Sequence, residues 1–247
     1  MDTTPYSDNI PAAMHEFAAR VQEETPAGLL SIHVVGSVLT PDYQPGRSDI
    51  NSVIVLERID LDFLDMLVGL GTSFRDRHIA APLLMTPHYI ARSLDVFPLE
   101  FFNFREVHLT LTGEDLLATL EIDDAKLRLQ CEREVKSMLV GLRQGYLRAL
   151  GERNRLAVLL AESMKSLLPL VRGLCHLRNL RPALAGRDLI RSLQQPDLAE
   201  SESFEAVYAL ARQEADALPG KETLMNLFDR YYHAMESLAE YIDALAA

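Results

Sequence analysis

The chain has 247 residues, 48% hydrophobic and 24% charged, enough apolar material for one large domain or two of ordinary size and too much for a disordered tail. Its 36 acidic residues outnumber 24 basic ones, and the resulting net charge of −12 argues against a nucleic-acid partner. Cys131 and Cys175 cannot build a disulfide framework, no stretch has the length and apolarity of a membrane span, and the opening MDTTPYSDNI lacks a basic-then-apolar signal pattern, so a soluble, cytoplasmic protein without a membrane partner is expected.

An amphipathic segment over about Ala12 to Glu24 comes first. The branched run Leu29 to Val35 ends at Gly36 and reads as a strand, and Ile50 to Leu56 reads as a second one after a loop carrying Pro41, Pro45 and Gly46. Asp60 to Leu70 has helical spacing, with Leu61, Leu64, Leu67 and Val68 on one face. Ala81 to Met85 and Leu99 to Phe104 are predicted strands. The order α, β, β, α, β, β describes a small mixed sheet with helices packed on it.

Strand signals stop near residue 120. Leu127, Cys131, Val135, Met138, Leu142 and Tyr146 recur at helical spacings of three and four. A second helix is expected from Leu156 to Leu168, kinked or ended by Pro169. Pro182, Gly186 and Pro196 punctuate the next stretch, and two further helices fit Phe204 to Leu218 and Glu222 to Leu245, parted by Pro219 and Gly220. The fold class is therefore α+β: an α/β domain over 1–120, then a helical bundle over 121–247. The apolar face of Leu224 to Leu245 fits burial within the chain or against a second copy, so a homo-oligomer stays open.

Charge is segregated along the chain. Residues 1–125 carry a balance of −13, residues 126–191 a balance of +9, and residues 192–247 a balance of −8. An acidic front half beside a basic middle can bring a cation and a polyphosphate together, or can be two solvated faces of opposite sign. Arg128, Arg133, Lys136 and Arg143 follow helical spacing and fit either a phosphate clamp or a solvated helix face.

The stretch from Val34 to Leu56, VVGSVLTPDYQPGRSDINSVIVL, carries the most chemistry. A strand ends in Gly36-Ser37, where a glycine lets backbone approach a phosphate and a hydroxyl with nearby N–H groups can hold its oxygens. Arg47 and Ser48 close the loop and are candidates to bind the same phosphate, although a solvated side chain is the commoner outcome for such an arginine. Asp49 and Asn51 are two apart, so an extended chain points both to one face, and two oxygen donors side by side suit a hard cation such as Mg²⁺. A third oxygen ligand is expected from a neighbouring strand, with Glu100 the candidate and Asn103 its rival on the opposite strand face.

This stretch resembles the nucleotidyltransferase superfamily that includes DNA polymerase beta and the kanamycin nucleotidyltransferases. The family pattern is Gly-Ser at a strand end, a loop, Asp-x-Asp or Asp-x-Glu in the next strand, and a later acidic residue. Here Gly36-Ser37, Asp49 and Glu100 match it, and the resemblance covers about residues 28–115, including Leu94 to Glu100 and Leu111 to Asp115. The helical half, with Leu129 to Glu134 and Leu142 to Leu147, is similar to the tail of bacterial members. The resemblance implies Mg²⁺-dependent transfer of a nucleoside monophosphate from a nucleoside triphosphate (NTP) to an acceptor hydroxyl, with Asp49 and Glu100 catalytic and Asp49, Asn51 and Glu100 on the metals. Asn51 departs from it, because an amide carries no charge and bridges two cations poorly. The same fold with Asn51 also fits a catalytically degenerate nucleotide-binding or protein-interaction module.

Other chemistry is weakly signalled. Cys175-His176 reads as a lone pair on an apolar helix, His33 as an interior histidine with satisfied ring nitrogens, and Tyr231-Tyr232-His233 as helix packing. The Gly-x4-Gly-Lys-Ser/Thr loop, Gly-x-Gly-x-x-Gly and His-Glu-x-x-His are absent.

Overall fold

A computed structural model describes residues 4–25, 28–194, 198–212 and 218–245. The chain divides into two compact units, Met1–Ile122 and Asp123–Ala247. The architecture is α+β, with one small mixed sheet and otherwise helices.

In the first unit, α1 (Ala12–Glu24) precedes β1 (Leu29–Val35), and β2 is Asn51–Leu56. Then come α2 (Leu61–Phe74), β3 (Leu83–Met85), α3 (Pro87–Ser93), α4 (Pro98–Glu106) and β4 (His108–Gly113). The sheet order is β3-β2-β1-β4. β1 runs antiparallel to both β2 and β4, whereas β2 and β3 are parallel. Because strand side chains alternate, Val35, Val53 and Val55 share one face, where they form a core with Met85, Ile90 of α3, Phe101 of α4 and Leu117. Ile32, Val34 and Ile54 on the other face are fully buried too, which explains why β1 and β2 read as near-continuous apolar runs. α1 packs on α2, with Phe17 and Phe74 edge to face at a 5.2 Å ring separation.

The segment expected as a fourth strand, Leu99 to Phe104, is instead α4. Pro98 at its first turn is pre-set for a helix and lacks only an N–H that would have no intrahelical partner, while Glu100 in that turn complements the positive helix end. These signals outweigh the aromatic content that suggested a strand. The strand that completes the sheet is β4, whose Thr110 and Thr112 lie opposite His33 and Ile32. Gly113 ends it at φ 81°, and a Cβ there would lie 1.9 Å from the Leu30 carbonyl oxygen, so no larger residue fits.

The second unit is helical: α5 (Asp124–Ala149), α6 (Arg153–Leu177), α7 (Gly186–Arg191), α8 (Glu202–Ala211) and α9 (Lys221–Ala244). α5 packs on α6 and α9, and α6 also packs on α8. α6 continues through Pro169, where the sequence pattern predicts a kink or an end. An interior proline costs about 3 kcal/mol, but Leu160, Met164, Leu167, Leu170, Val171 and Leu174 are all buried, and each such side chain contributes roughly 1.5–3 kcal/mol. The extension of α8 toward Leu218 and the Pro196 break fall on or against residues 195–197 and 213–217, outside the described residues. The apolar face of α9, including Leu224, Tyr231, Met235, Leu238 and Ile242, is buried.

Candidate functional site

The turn after β1 is built on Gly36. Its φ of 84° and ψ of −150° suit glycine alone, and its N–H donates to the Val107 carbonyl at 3.3 Å. A 3₁₀ turn, Ser37–Leu39, comes next, and the Thr40 hydroxyl donates to the Ser37 carbonyl at 2.8 Å. Val38 and Leu39 are buried beneath it, while Gly36 and Ser37 stay half-exposed. The loop then closes on itself: the Ser48 N–H donates to the Gln44 carbonyl, and the Gln44 N–H donates to Ser48 Oγ at 3.3 Å. Arg47 is exposed at its end.

Asp49 lies just outside β2. Ile50, fully buried, holds the position by donating to the His78 carbonyl at 2.7 Å and accepting from the Ala80 N–H at 3.0 Å. The exposed residues on either side of it are Asp49 and Asn51. Asn51 pairs with Val35 across the β1–β2 ladder, and a Cβ on Gly36 would lie 3.8 Å from its Nδ2. The structure thus brings Gly36, Asp49 and Asn51 to one sheet end.

Glu100 arrives differently from the expectation. It is an exposed residue in the first turn of α4, not a strand neighbour of β2. The adjacent Phe101 packs in one core with Val35 and Val53, the residues next to Gly36 and two beyond Asn51. α4 therefore covers the sheet face that Asn51 shares. Asn103 is in the same helix, its side-chain amide donating to the Leu99 carbonyl at 2.8 Å.

Sequence spacing carries no sign of His78. It adopts a left-handed backbone at φ 60°, and its Nδ1 lies 3.8 Å from Asp49 Oδ1, both side chains substantially exposed. Only the pairing of Ile50 with Ile79, a tertiary event, places it there.

No family model and no curated protein matches this sequence. Among solved structures, the chain aligns with spectinomycin adenyltransferase AAD(9) from Enterococcus faecialis, determined with ATP and spectinomycin, at a TM-score of 0.57. The alignment covers 91% of this chain and 98% of that one, at 8% identity. The fold is that of the nucleotidyltransferases. A nucleotidyltransferase-like protein from Exiguobacterium sibiricum 255-15 also aligns, over 94% of this chain and 75% of its own, at 12% identity and a TM-score of 0.33.

On this nucleotidyltransferase fold, four basic residues of α5, Arg128, Arg133, Lys136 and Arg143, are held within the helical unit. Arg128 bonds Glu132 and the Ile242 carbonyl, and Lys136 bonds Glu132 and Asp243. Arg143 donates to the Tyr232 hydroxyl at 2.6 Å and pairs with Glu236, while Arg133 pairs with Glu134. Arg128, Lys136 and Arg143 cross-link α5 to α9, so each of them already has partners within the unit. Tyr231 is buried, its hydroxyl 2.9 Å from Ser163 Oγ, and Cys175 Sγ lies 3.2 Å from Ser192 Oγ. His176 pairs with Asp124 at 3.0 Å. These contacts give the residues structural roles.

Proposed function

We propose that the protein binds a nucleoside triphosphate at the Gly36 turn and transfers its nucleotidyl group to the hydroxyl of an acceptor. The observation that carries this reading is the meeting of the Gly36–Ser37 turn with Asp49 and Asn51 at one sheet end, on a nucleotidyltransferase fold. In the proposed complex, Ser37 and the turn's N–H groups hold phosphate oxygens, and Arg47 and Ser48 reach the same phosphates from the loop. Asp49 bears the cation, Asn51 adds an uncharged oxygen, and Glu100 at the positive end of α4 takes the acceptor's proton as its oxygen attacks phosphorus and pyrophosphate leaves.

The donors suit a single hard cation. Asp49, Asn51 and Glu100 offer oxygens only, the preference of Mg²⁺, but Asn51 cannot bridge a second ion as a carboxylate does. Among the described residues, no set of three His, Cys, Asp or Glu side chains converges at Asp49. When bound, Mg²⁺ supplies charge neutralisation to the triphosphate and polarises the attacked phosphorus.

Calorimetry tests the reading with the native chain and Asp49→Ala, each titrated with all four NTPs with and without Mg²⁺. Binding that needs both Mg²⁺ and Asp49 supports it. No binding by the native chain sinks it. A second reading, favoured by the amide at Asn51, is a nucleotide-binding or protein-interaction module without efficient transfer. It predicts binding with no release of pyrophosphate for any hydroxyl-bearing acceptor.

A further inference from the structure

A second cluster sits on β1 and β4, on residues that the nucleotide reading does not use. His33 is fully buried, with its Nε2 2.7 Å from Ser31 Oγ and its Nδ1 2.9 Å from Thr110 Oγ1. The His108 ring lies 5.8 Å away, centre to centre and nearly perpendicular. His108 Nδ1 is 3.1 Å from the Arg105 carbonyl, and its Nε2 is 2.8 Å from Asp115 Oδ1. That carboxylate oxygen also accepts from the Ala118 N–H at 3.2 Å. One ligand atom each from His33, His108 and Asp115 falls within 4.8 Å of the others, and this is the one such trio among the described residues.

We propose that His33, His108 and Asp115 form a three-ligand site for a divalent transition ion of the Zn²⁺ class, with a fourth position open to water. Two imidazoles and a carboxylate suit such an ion better than Mg²⁺. Tetrahedral Zn²⁺ with bonds of about 2.0–2.1 Å sets its ligand atoms roughly 3.4 Å apart, so closure needs side-chain shifts of about 1 Å. The surroundings are already arranged for it. With Nδ1–H donated to the Arg105 carbonyl, Nε2 is the ligand atom of His108, and an ion bound there takes the place of the Nε2–Asp115 hydrogen bond. Ser31 and Thr110 present hydroxyls, which donate or accept, so either His33 nitrogen can be released while the other stays bonded.

Electrostatics agree with the geometry. Burial, with the nearby His108 adding to it against an opposing pull from Asp115, draws the His33 pKa down to about 4. Partial burial pushes the Asp115 carboxyl up, but His108, the Ala118 N–H and His33 together hold it below its ordinary value. The Asp115 side chain is 47% exposed and offers the way in for an ion. The Gly36 N–H bonds the Val107 carbonyl, one residue before His108, so an ion here would pin β4 to β1 beside the Gly36 turn.

The test uses the untagged, metal-stripped full chain titrated with Co²⁺, whose visible absorption reports low-coordinate nitrogen and oxygen ligation. One equivalent should bind, and Zn²⁺ should displace it. His108→Gln and Asp115→Asn should each weaken binding at least tenfold, while His176→Gln, which removes the histidine of a His–Asp pair in the helical unit, should leave it unchanged. Should His108→Gln fail to fold, Asp115→Asn at an exposed loop position decides. No stoichiometric band in the native chain, or a band that survives Asp115→Asn at full affinity, overturns the proposal and leaves a hydrogen-bonded histidine network. Neither result touches the nucleotide site, which Asp49→Ala reads separately.

Discussion

Asn51 pairs with Val35 across the β1–β2 ladder and so lies beside Gly36, with 3.8 Å between its Nδ2 and the place where a Gly36 Cβ would stand. The Gly36 turn and the Asn51 side-chain amide are therefore direct neighbours. Any anion held by the turn meets an amide there and not a second negative charge. That eases anion binding and weakens cation binding, and it makes Asn51 the position where the two readings of function part.

Asn51→Asp should raise Mg²⁺ affinity and, if transfer is the native activity, speed it by about a hundredfold, the equivalent of one preorganised charged group worth roughly 2–4 kcal/mol. Pyrophosphate release at fixed NTP is the readout. An unchanged rate alongside a measurable native rate would mean the site works through Asp49 and Glu100 without a second carboxylate.

Gly36→Ala tests the turn. The φ of 84° strains any residue with a Cβ, at about 1–3 kcal/mol, yet the nearest heavy atom to a new Cβ is at ordinary contact distance. Stability should fall by that amount and NTP affinity should fall further as the turn relaxes. Loss of stability with full NTP affinity would place the phosphates elsewhere.

Glu100→Gln separates a proton acceptor from a helix-end charge. As an exposed carboxylate in the first turn of α4 it contributes about 0.3–1 kcal/mol to stability through the helix dipole. As the base it carries roughly a 10²- to 10⁴-fold share of the rate. A drop in kcat of that size with little change in melting temperature or NTP affinity supports the catalytic role, and unchanged kcat removes it.

The two antiparallel strands and the turn between them are legible because both faces of β1 and β2 are buried, which writes continuous Leu, Ile and Val runs bounded by Gly36 and the proline-rich loop. α4 reads as a strand because Leu99, Phe101 and Phe102 are buried all round, so no helical stripe shows, and the informative signals are Pro98 and Glu100 at its start. Placing the third ligand by strand alternation fails with it. His78 and the His33–His108–Asp115 trio are not legible at all. Each is assembled by pairing between distant segments, Ile50 with Ile79 in one case and β1 with β4 in the other, and sequence spacing carries no record of that.

Stability should depend on pH through His33. Its pKa is about 4 folded against an ordinary 6.5. Above pH 6.5 the ring is neutral in both states. Between 6.5 and 4 the unfolded chain takes up a proton that the folded chain excludes, so stability falls as pH falls, by up to about 3 kcal/mol, and levels off below 4. Asp115, held below its ordinary value, adds its loss only at lower pH. Urea midpoints from pH 4.5 to 7 in chelator should slope more steeply for the native chain than for His33→Gln. Equal slopes would remove His33 as the source.

Gly113→Ala should be among the most damaging single changes in the first unit. The new Cβ would overlap the Leu30 carbonyl oxygen at 1.9 Å and the Ser31 Cα at 2.8 Å, and both are backbone atoms that cannot rotate aside. β4 would have to separate from β1 at its Ser31–Gly113 pair, on top of the strain of a positive φ. The expected loss is about 3 kcal/mol or more. The consequence is local as well as global: Asp115 lies two residues beyond Gly113, so its bond to His108 should be lost with the strand end. Proton exchange of the Ala118 amide, whose N–H donates to the same carboxylate, measures this directly. Faster Ala118 exchange in a chain that otherwise keeps its helical signal would show β4 opening alone, and unchanged exchange would mean that the loop after β4 holds Asp115 without Gly113.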